Sequence, residues 1–189
     1  GWRRSFAFDE MLGMDIGVRA LGIVGMGRIG QAVARRARAF GMRVLYHNRN
    51  RLAPELEQGA VYCDSLEALL PQSQVLSLNL PGGQGVLMTR ERFAMLPPGA
   101  IFINSARGSL VDEDALLDAL KSGQVGAAGL DVFQKEPNFD TRLNELENTF
   151  LLPHIGSATI ETRTAMIGLA LDGIEAVLSG RQPPNVVRA

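Results

Sequence analysis

A doubly wound α/β fold built on a parallel sheet is the class this sequence predicts, and three observations predict it. From Ala20 onward short apolar runs alternate with amphipathic segments, which is the pattern of strands joined by crossover helices. The runs are nearly continuous in Val, Ile, Leu and Ala, as parallel strands covered on both faces require. A glycine-rich turn, Gly25-Met26-Gly27-Arg28-Ile29-Gly30, lies between the first run and the first helical segment, where such a fold binds ligands at the carboxyl edge of its sheet.

Taken in order, residues 20–25 (ALGIVG) read as the first strand. Residues 30–40 read as a helix with Ala32, Val33, Ala37 and Phe40 on its inner side. Residues 42–47 make a second strand and 60–63 a short third. SLEALLPQ is a helix whose Ser65 and Glu67 suit its N-terminal end, and residues 74–80 form a fourth strand. TRERFAMLPPG is a helix closed by Pro97, Pro98 and Gly99; residues 100–106 are a fifth strand. VDEDALLDALKSG starts on acids and ends at Gly123, so it reads as a helix with both ends marked. Residues 125–133 and 149–154 supply two more strands. Residues 157–180 carry a long helical pattern with more apolar residues than a freely solvated helix needs, so a covering partner is expected.

This order divides the chain into an arm at residues 1–20, a binding domain at 21–156 and a C-terminal helix and tail at 157–189. Opening at Gly1, the chain reads as a truncated or processed one. Its 189 residues are 46% hydrophobic and 21% charged, enough apolar material for one substantial core. A net charge of -1 supplies no overall field for nucleic acid or an anionic membrane, so neither is an expected partner. No apolar run approaches the ~20 residues of a membrane span, and no apolar signal core is present. Cys63 is the only cysteine, which excludes an internal disulfide and a thiolate metal cluster; no metal site is expected, and a cytoplasmic location is.

The glycine turn gives the first chemical reading. Gly25 permits the tight turn, Gly27 lets the backbone approach a pyrophosphate, and Gly30 lets the helix pack closely on the sheet. Backbone N–H groups of Arg28, Ile29 and Gly30 would then face an anion, aided by the helix dipole. The NAD form of this motif places an acid about 20 residues further on, to accept from the adenosine ribose hydroxyls. Here that position falls in YHNRNR and is Asn48. A neutral amide does not repel a 2′-phosphate, and Arg49 and Arg51 offer fork-shaped cationic donors, so the cluster predicts NADP, with NAD as the lesser cofactor. His47 reads as structural or as a minor contact on the adenosine side.

At the other end of the sheet's carboxyl edge the sequence places Arg107, Asp131, Glu136 and His154. An imidazole to move a proton, a carboxylate to orient it and a fixed cation together form a set suited to carbonyl reduction.

With these residues in place, the chain resembles the D-isomer-specific 2-hydroxyacid dehydrogenases, and among them the glyoxylate/hydroxypyruvate reductases. The resemblance rests on GIVGMGRIGQAVARRARAFGMRVLYHNR, PPGAIFINSARGSLVDEDALLDAL, AAGLDVFQKEP and LLPHIGSAT, in that order, and runs from about Leu21 to Val187. It implies a Rossmann domain. It further implies that Arg107 binds the carboxylate and carbonyl oxygens of a 2-keto acid, that His154 donates the proton, and that Glu136 hydrogen-bonds His154. By the same resemblance Ser105, Ala106, Arg107, Asp131, His154 and Gly156 line the cofactor pocket, and Leu80 and Pro81 contact the adenine side. The chain departs from the family where NLPGGQGVLMT replaces the usual PLTPET segment, and it lacks the substrate domain that precedes this region in the family. The arm then implies a homodimer, and the last helix implies a crossing back to the substrate domain. Two other functions remain open at this point: a nucleotide-sensing regulatory module, or a sister dehydrogenase acting on phosphoglycerate, lactate or phosphite.

Overall fold

The computed structural model describes residues 12–186, so the first eleven residues of the expected dimer arm lie outside the described part. The chain divides into two compact units, Gly1–Pro153 and His154–Ala189.

The first unit is built on one seven-stranded sheet. Its strands are β1 (Ala20–Val24), β2 (Arg43–His47), β3 (Val61–Tyr62), β4 (Val75–Leu78), β5 (Ala100–Asn104), β6 (Val125–Leu130) and β7 (Thr149–Leu151). They lie in the order β3-β2-β1-β4-β5-β6-β7, and every pair is parallel. Successive side chains of a strand face opposite sides, and the core divides accordingly. Leu21 and Ile23 of β1 join Ala34, Ala37, Val44 and Tyr46 on one side, and Val24 joins Leu45, Leu76 and Leu78 in a larger cluster on the other. That larger cluster takes the buried faces of helices α3 (Leu66–Leu69), α4 (Arg90–Ala94) and α5 (Glu113–Ser122). Phe93 of α4 meets Phe102 of β5 edge-on, with ring centroids 5.2 Å apart.

Helix α1 (Arg28–Ala39) turns a different stripe inward from the one expected. Gly30, Ala34 and Ala37 are its buried residues, Val33 packs partly against the core, and Phe40, expected inside, is 64% exposed beyond the helix end. Gly30 at the turn brings the helix axis close to β1, and only small side chains at the following i+4 and i+7 positions fit that gap. The expected signals hold at the starts of α3 and α5 and at the end of α5, whereas α4 (Arg90–Ala94) stops with its cap at Met95, short of the expected Pro97-Pro98-Gly99. Ser65 accepts from the N–H of Ala68 to start α3, Asp112 accepts from that of Ala115 to start α5, and Gly123 closes α5 with φ of 78°. A one-turn helix, α2 (Pro54–Glu57), fills a stretch to which the sequence analysis assigned no element. The last strand is shorter than expected: β7 stops at Leu151, Pro153 has no N–H to extend a ladder, and His154 adopts φ of 53° instead of an extended conformation.

The second unit is dominated by α6 (Ile160–Leu178), started by Thr159, whose side chain accepts from the N–H of Thr162. Its Ile160, Met166, Ile167, Leu169, Leu171, Ile174, Val177 and Leu178 side chains are exposed. No described helix is long and apolar enough to cross a membrane.

The tight seat of α1 is testable. Ala34 is fully buried, so Ala34→Leu should overpack the interface and cost about 1–3 kcal/mol, read as a lower urea midpoint with an unchanged slope.

Candidate dinucleotide site

The strand order reverses at the boundary of β1 and β4, because β2 and β3 lie on one side of that pair and β5 to β7 on the other. Loops leaving the two central strands therefore diverge and leave a crevice at their carboxyl ends. A cavity of about 650 Å³ occupies it, a size suited to a small-molecule ligand. Of the residues predicted to hold a cofactor, Gly25, Gly27, Asn48, Arg49, Leu80 and Pro81 line this cavity together; His47, Asn50, Leu66, Asn79, Gln84 and Leu87 join them.

The turn that opens α1 forms one wall. Gly25 has φ of 94°, and a Cβ there would stand 2.7 Å from the carbonyl of Asn79; a Cβ on Gly30 would overlap the carbonyl oxygen of Gly25. Internal packing therefore demands both glycines. Gly27 differs: a Cβ there would meet nothing within 4 Å, so the space over it is room that the protein itself does not use. No side chain caps α1, and its first turn carries no acid. The helix start is thus left as a set of backbone donors with a positive dipole end, which fits a pyrophosphate. Arg28 and Ile29 are exposed on that first turn.

A second wall comes from the loop after β2. Asn48 Oδ1 accepts from the N–H of Met26 at 2.6 Å, tying the end of β2 to the glycine turn. One acceptor position of its oxygen is thereby filled inside the protein, while its Nδ2 makes no hydrogen bond among the described residues. Arg49 lies on the cavity wall and likewise has no ion-pair or hydrogen-bond partner among them. No carboxylate belongs to the lining.

Arg51 is placed otherwise than Arg49. It is absent from the lining, and its Nε and Nη2 donate to the two oxygens of Glu57 at 2.7 and 3.1 Å, while its guanidinium stands 5.6 Å from the Tyr62 ring centroid. The Glu57 side chain is 10% exposed, and the buried Tyr46 hydroxyl donates to the same carboxylate at 2.7 Å while accepting from the N–H of Leu52. A buried carboxylate binds its nearest cation strongly, and that preference turns the fork of Arg51 away from the crevice. The 48–52 loop is thus pinned at both ends, at Asn48 and at Arg51. His47 is anchored through its Nδ1 to the carbonyl of Cys63 at 3.0 Å.

The loops after β5 and β6 carry Ser105, Ala106, Arg107, Asp131 and Glu136 of the predicted site residues. Asn104, almost wholly buried, accepts from the N–H of Ala106 and donates to the carbonyl of Arg107, both at 3.0 Å, which sets the course of the Ser105–Arg107 segment. Ser105 and Arg107 are exposed and Ala106 is buried; one Arg107 nitrogen donates to the carbonyl of Ala106. Asp131 is buried, and its N–H donates to the carbonyl of Asn104. Gly108 allows the two loops to meet, since a Cβ there would overlap the backbone of Phe133. Glu136 is exposed and accepts from the N–H of Phe133 at 2.8 Å. In the second unit, His154 and Gly156 are exposed.

Residues 2–156 match the family of D-isomer specific 2-hydroxyacid dehydrogenases, in its NAD binding domain. The chain belongs to this family. The glyoxylate reductase of Thermococcus litoralis is 45% identical over 186 residues, which cover 93% of this chain and 54% of that enzyme. A solved D-isomer specific 2-hydroxyacid dehydrogenase from Polaromonas is 47% identical with a TM-score of 0.93, covering 97% of this chain and 58% of that one. The NADPH-dependent glyoxylate/hydroxypyruvate reductase of Sinorhizobium meliloti, solved with NADP and malonate, is 39% identical with a TM-score of 0.81, over 85% of this chain and 50% of that one. The chain spans about half the length of the relatives it matches.

Asn79, Gln84 and Glu57 escaped the sequence reading. A polar residue directly after β4 was the available signal for Asn79, since that position adjoins the glycine turn in any doubly wound sheet. Nothing local marked Glu57, whose role depends on burial.

The Glu57 network makes a pH prediction. Arg51 first, and then the Tyr46 hydroxyl, hold the Glu57 carboxyl down from its ordinary 4.5 to about 2. A carboxyl depressed on folding adds stability above its unfolded value, and that contribution fades as pH falls toward the folded one. Glu57→Gln should therefore unfold more readily than wild type at pH 6, with the difference closing between pH 4.5 and 2, as followed by circular dichroism melts.

Proposed function

We propose that this chain is the cofactor-binding part of an NADPH-dependent reductase that converts glyoxylate or hydroxypyruvate to the corresponding D-2-hydroxy acid. The observation that carries the cofactor choice is the wall after β2, which carries Arg49 and no carboxylate. The Asn48 oxygen is engaged by Met26, Arg49 is left with its charge on the cavity, and no carboxylate lines that side. Such a wall accommodates a 2′-phosphate and offers no carboxylate to a free 2′-hydroxyl. The NADPH dependence of the Sinorhizobium relative supports the same reading.

The bound cofactor would supply a hydride to the keto carbon. The chain's own residues would do the remaining work. Arg107 holds the substrate carboxylate and stabilises charge growing on the carbonyl oxygen, and its exposed guanidinium on a loop stiffened by Asn104 suits that task. His154 gives a proton to that oxygen through its imidazole, with Glu136 as its orienting carboxylate. Asp131, Ser105 and Ala106 border the place of the nicotinamide. These roles rest on the family resemblance. The names of the Thermococcus and Sinorhizobium relatives favour glyoxylate and hydroxypyruvate over other 2-keto acids.

Two measurements test this reading. Fluorescence titration should show NADPH binding more tightly than NADH, with Arg49→Ala removing most of the gap and Arg51→Ala much less. Equal affinity for the two cofactors in the wild-type chain would overturn the assignment. In a protein that joins this chain to the region its relatives carry outside the match, His154→Ala should lower glyoxylate reduction by about 10²–10⁴-fold and leave the dissociation constant of NADPH nearly unchanged. Undiminished turnover would remove His154 from the mechanism.

A further inference from the structure

The cavity lining includes a buried polar atom that the described protein leaves unsatisfied, Oδ1 of Asn79. Its orientation follows from its partners. The Asn79 N–H donates to the carbonyl of Val24 at 2.8 Å, which continues the β1–β4 ladder by one residue and fixes the backbone. The side-chain Nδ2 then donates to Ser77 Oγ at 3.0 Å and approaches the Ser77 carbonyl at 3.4 Å. A carbonyl can only accept, so the amide nitrogen belongs on that side, and the oxygen is the atom left over.

A buried acceptor without a donor is costly, and native proteins rarely keep one without use. The other two such atoms among the described residues, Arg19 Nε and Arg38 Nη1, belong to residues that do not line this cavity. Asn79 stands against the glycine turn, with its backbone carbonyl close enough to Gly25 to forbid a side chain there. The group expected over that turn is a pyrophosphate, which has no proton to give at neutral pH. The donors nearest to it in a dinucleotide are the hydroxyls of the two riboses that flank it.

We infer that Asn79 Oδ1 accepts a hydrogen bond from a ribose hydroxyl of the bound dinucleotide, which makes Asn79 an affinity-determining residue of the site. The inference rests on the crevice being the dinucleotide site and is independent of the preference for NADPH. A hydroxyl present in both cofactors would contribute equally to each, whereas Arg49 discriminates between them.

The test is direct binding to the whole chain, followed by nicotinamide fluorescence and calorimetry. Asn79→Ala should weaken NADPH and NADH by the same factor, roughly fivefold for one net hydrogen bond. Wild-type protein should lose the same factor with one of three NADPH analogues, lacking the 2′- or the 3′-hydroxyl of the nicotinamide ribose or the 3′-hydroxyl of the adenosine ribose. For that analogue the Asn79→Ala variant should show no additional loss. Unchanged NADPH affinity in Asn79→Ala overturns the inference, and so do losses that add independently for every analogue. Should the variant not melt cooperatively, the wild-type analogue series decides alone, and equal affinity for NADPH and all three analogues overturns it. Failure of the wild type to bind either cofactor would overturn the site itself, while equal binding of NADPH and NADH would overturn only the cofactor preference.

Discussion

The close contact between the start of α1 and the two central strands is the constraint on which the site depends. Gly25 and Gly30 leave no room for side chains at that contact, and the helix consequently sits with its backbone, and not a side chain, at the carboxyl edge of β1. A larger residue at either position would lift the helix away and move its open N–H groups off the crevice. The small buried stripe of Ala34 and Ala37 follows from the same contact, as does the exposure of Phe40. Gly27 stands apart because a Cβ there would meet nothing within 4 Å.

Electrostatics in the β2 loop follow a division of labour between two arginines five and three residues short of α2. Glu57 is buried and must be paired, so it takes Arg51, and the Tyr46 hydroxyl completes the arrangement. Arg49 keeps its charge for the cavity. Two cations that look interchangeable in sequence thus act in different ways, one as an anchor of the loop and one as its exposed charge. The Met26–Asn48 bond adds a further effect, since it occupies one acceptor position of the Asn48 oxygen while the amide nitrogen has no hydrogen bond among the described residues.

On the other side of the switch point, rigidity comes from a single buried amide. Asn104 bonds both ways to the loop that follows it, and Gly108 lets that loop lie against the backbone of Phe133. Arg107 and Asp131 are therefore presented from loops whose paths are set by the sheet. Reactive side chains on loops fixed in this way can be positioned for chemistry without long elements of their own.

Periodicity and end signals made the strands, the helices and the glycine turn legible from the residues alone, because hydrophobic spacing, Ser65, Asp112 and Gly123 act through their nearest neighbours in the chain. The acid-free position at Asn48 was legible for the same reason, since its distance from the turn is set by one helix and one strand. Burial and long-range pairing lay beyond that reach. Which face of α1 turns inward, which arginine faces the cavity and which amide oxygen is left without a donor depend on burial, on pairings such as Arg51 with Glu57 and Asn79 with Val24, or on the width of a gap between layers. Local chemistry along the chain determined the doubly wound sheet and the turn at its edge; only the folded structure decided how Arg49, Arg51 and Asn79 divide the work, because charges and hydrogen-bonding groups take their roles from the partners that packing brings to them.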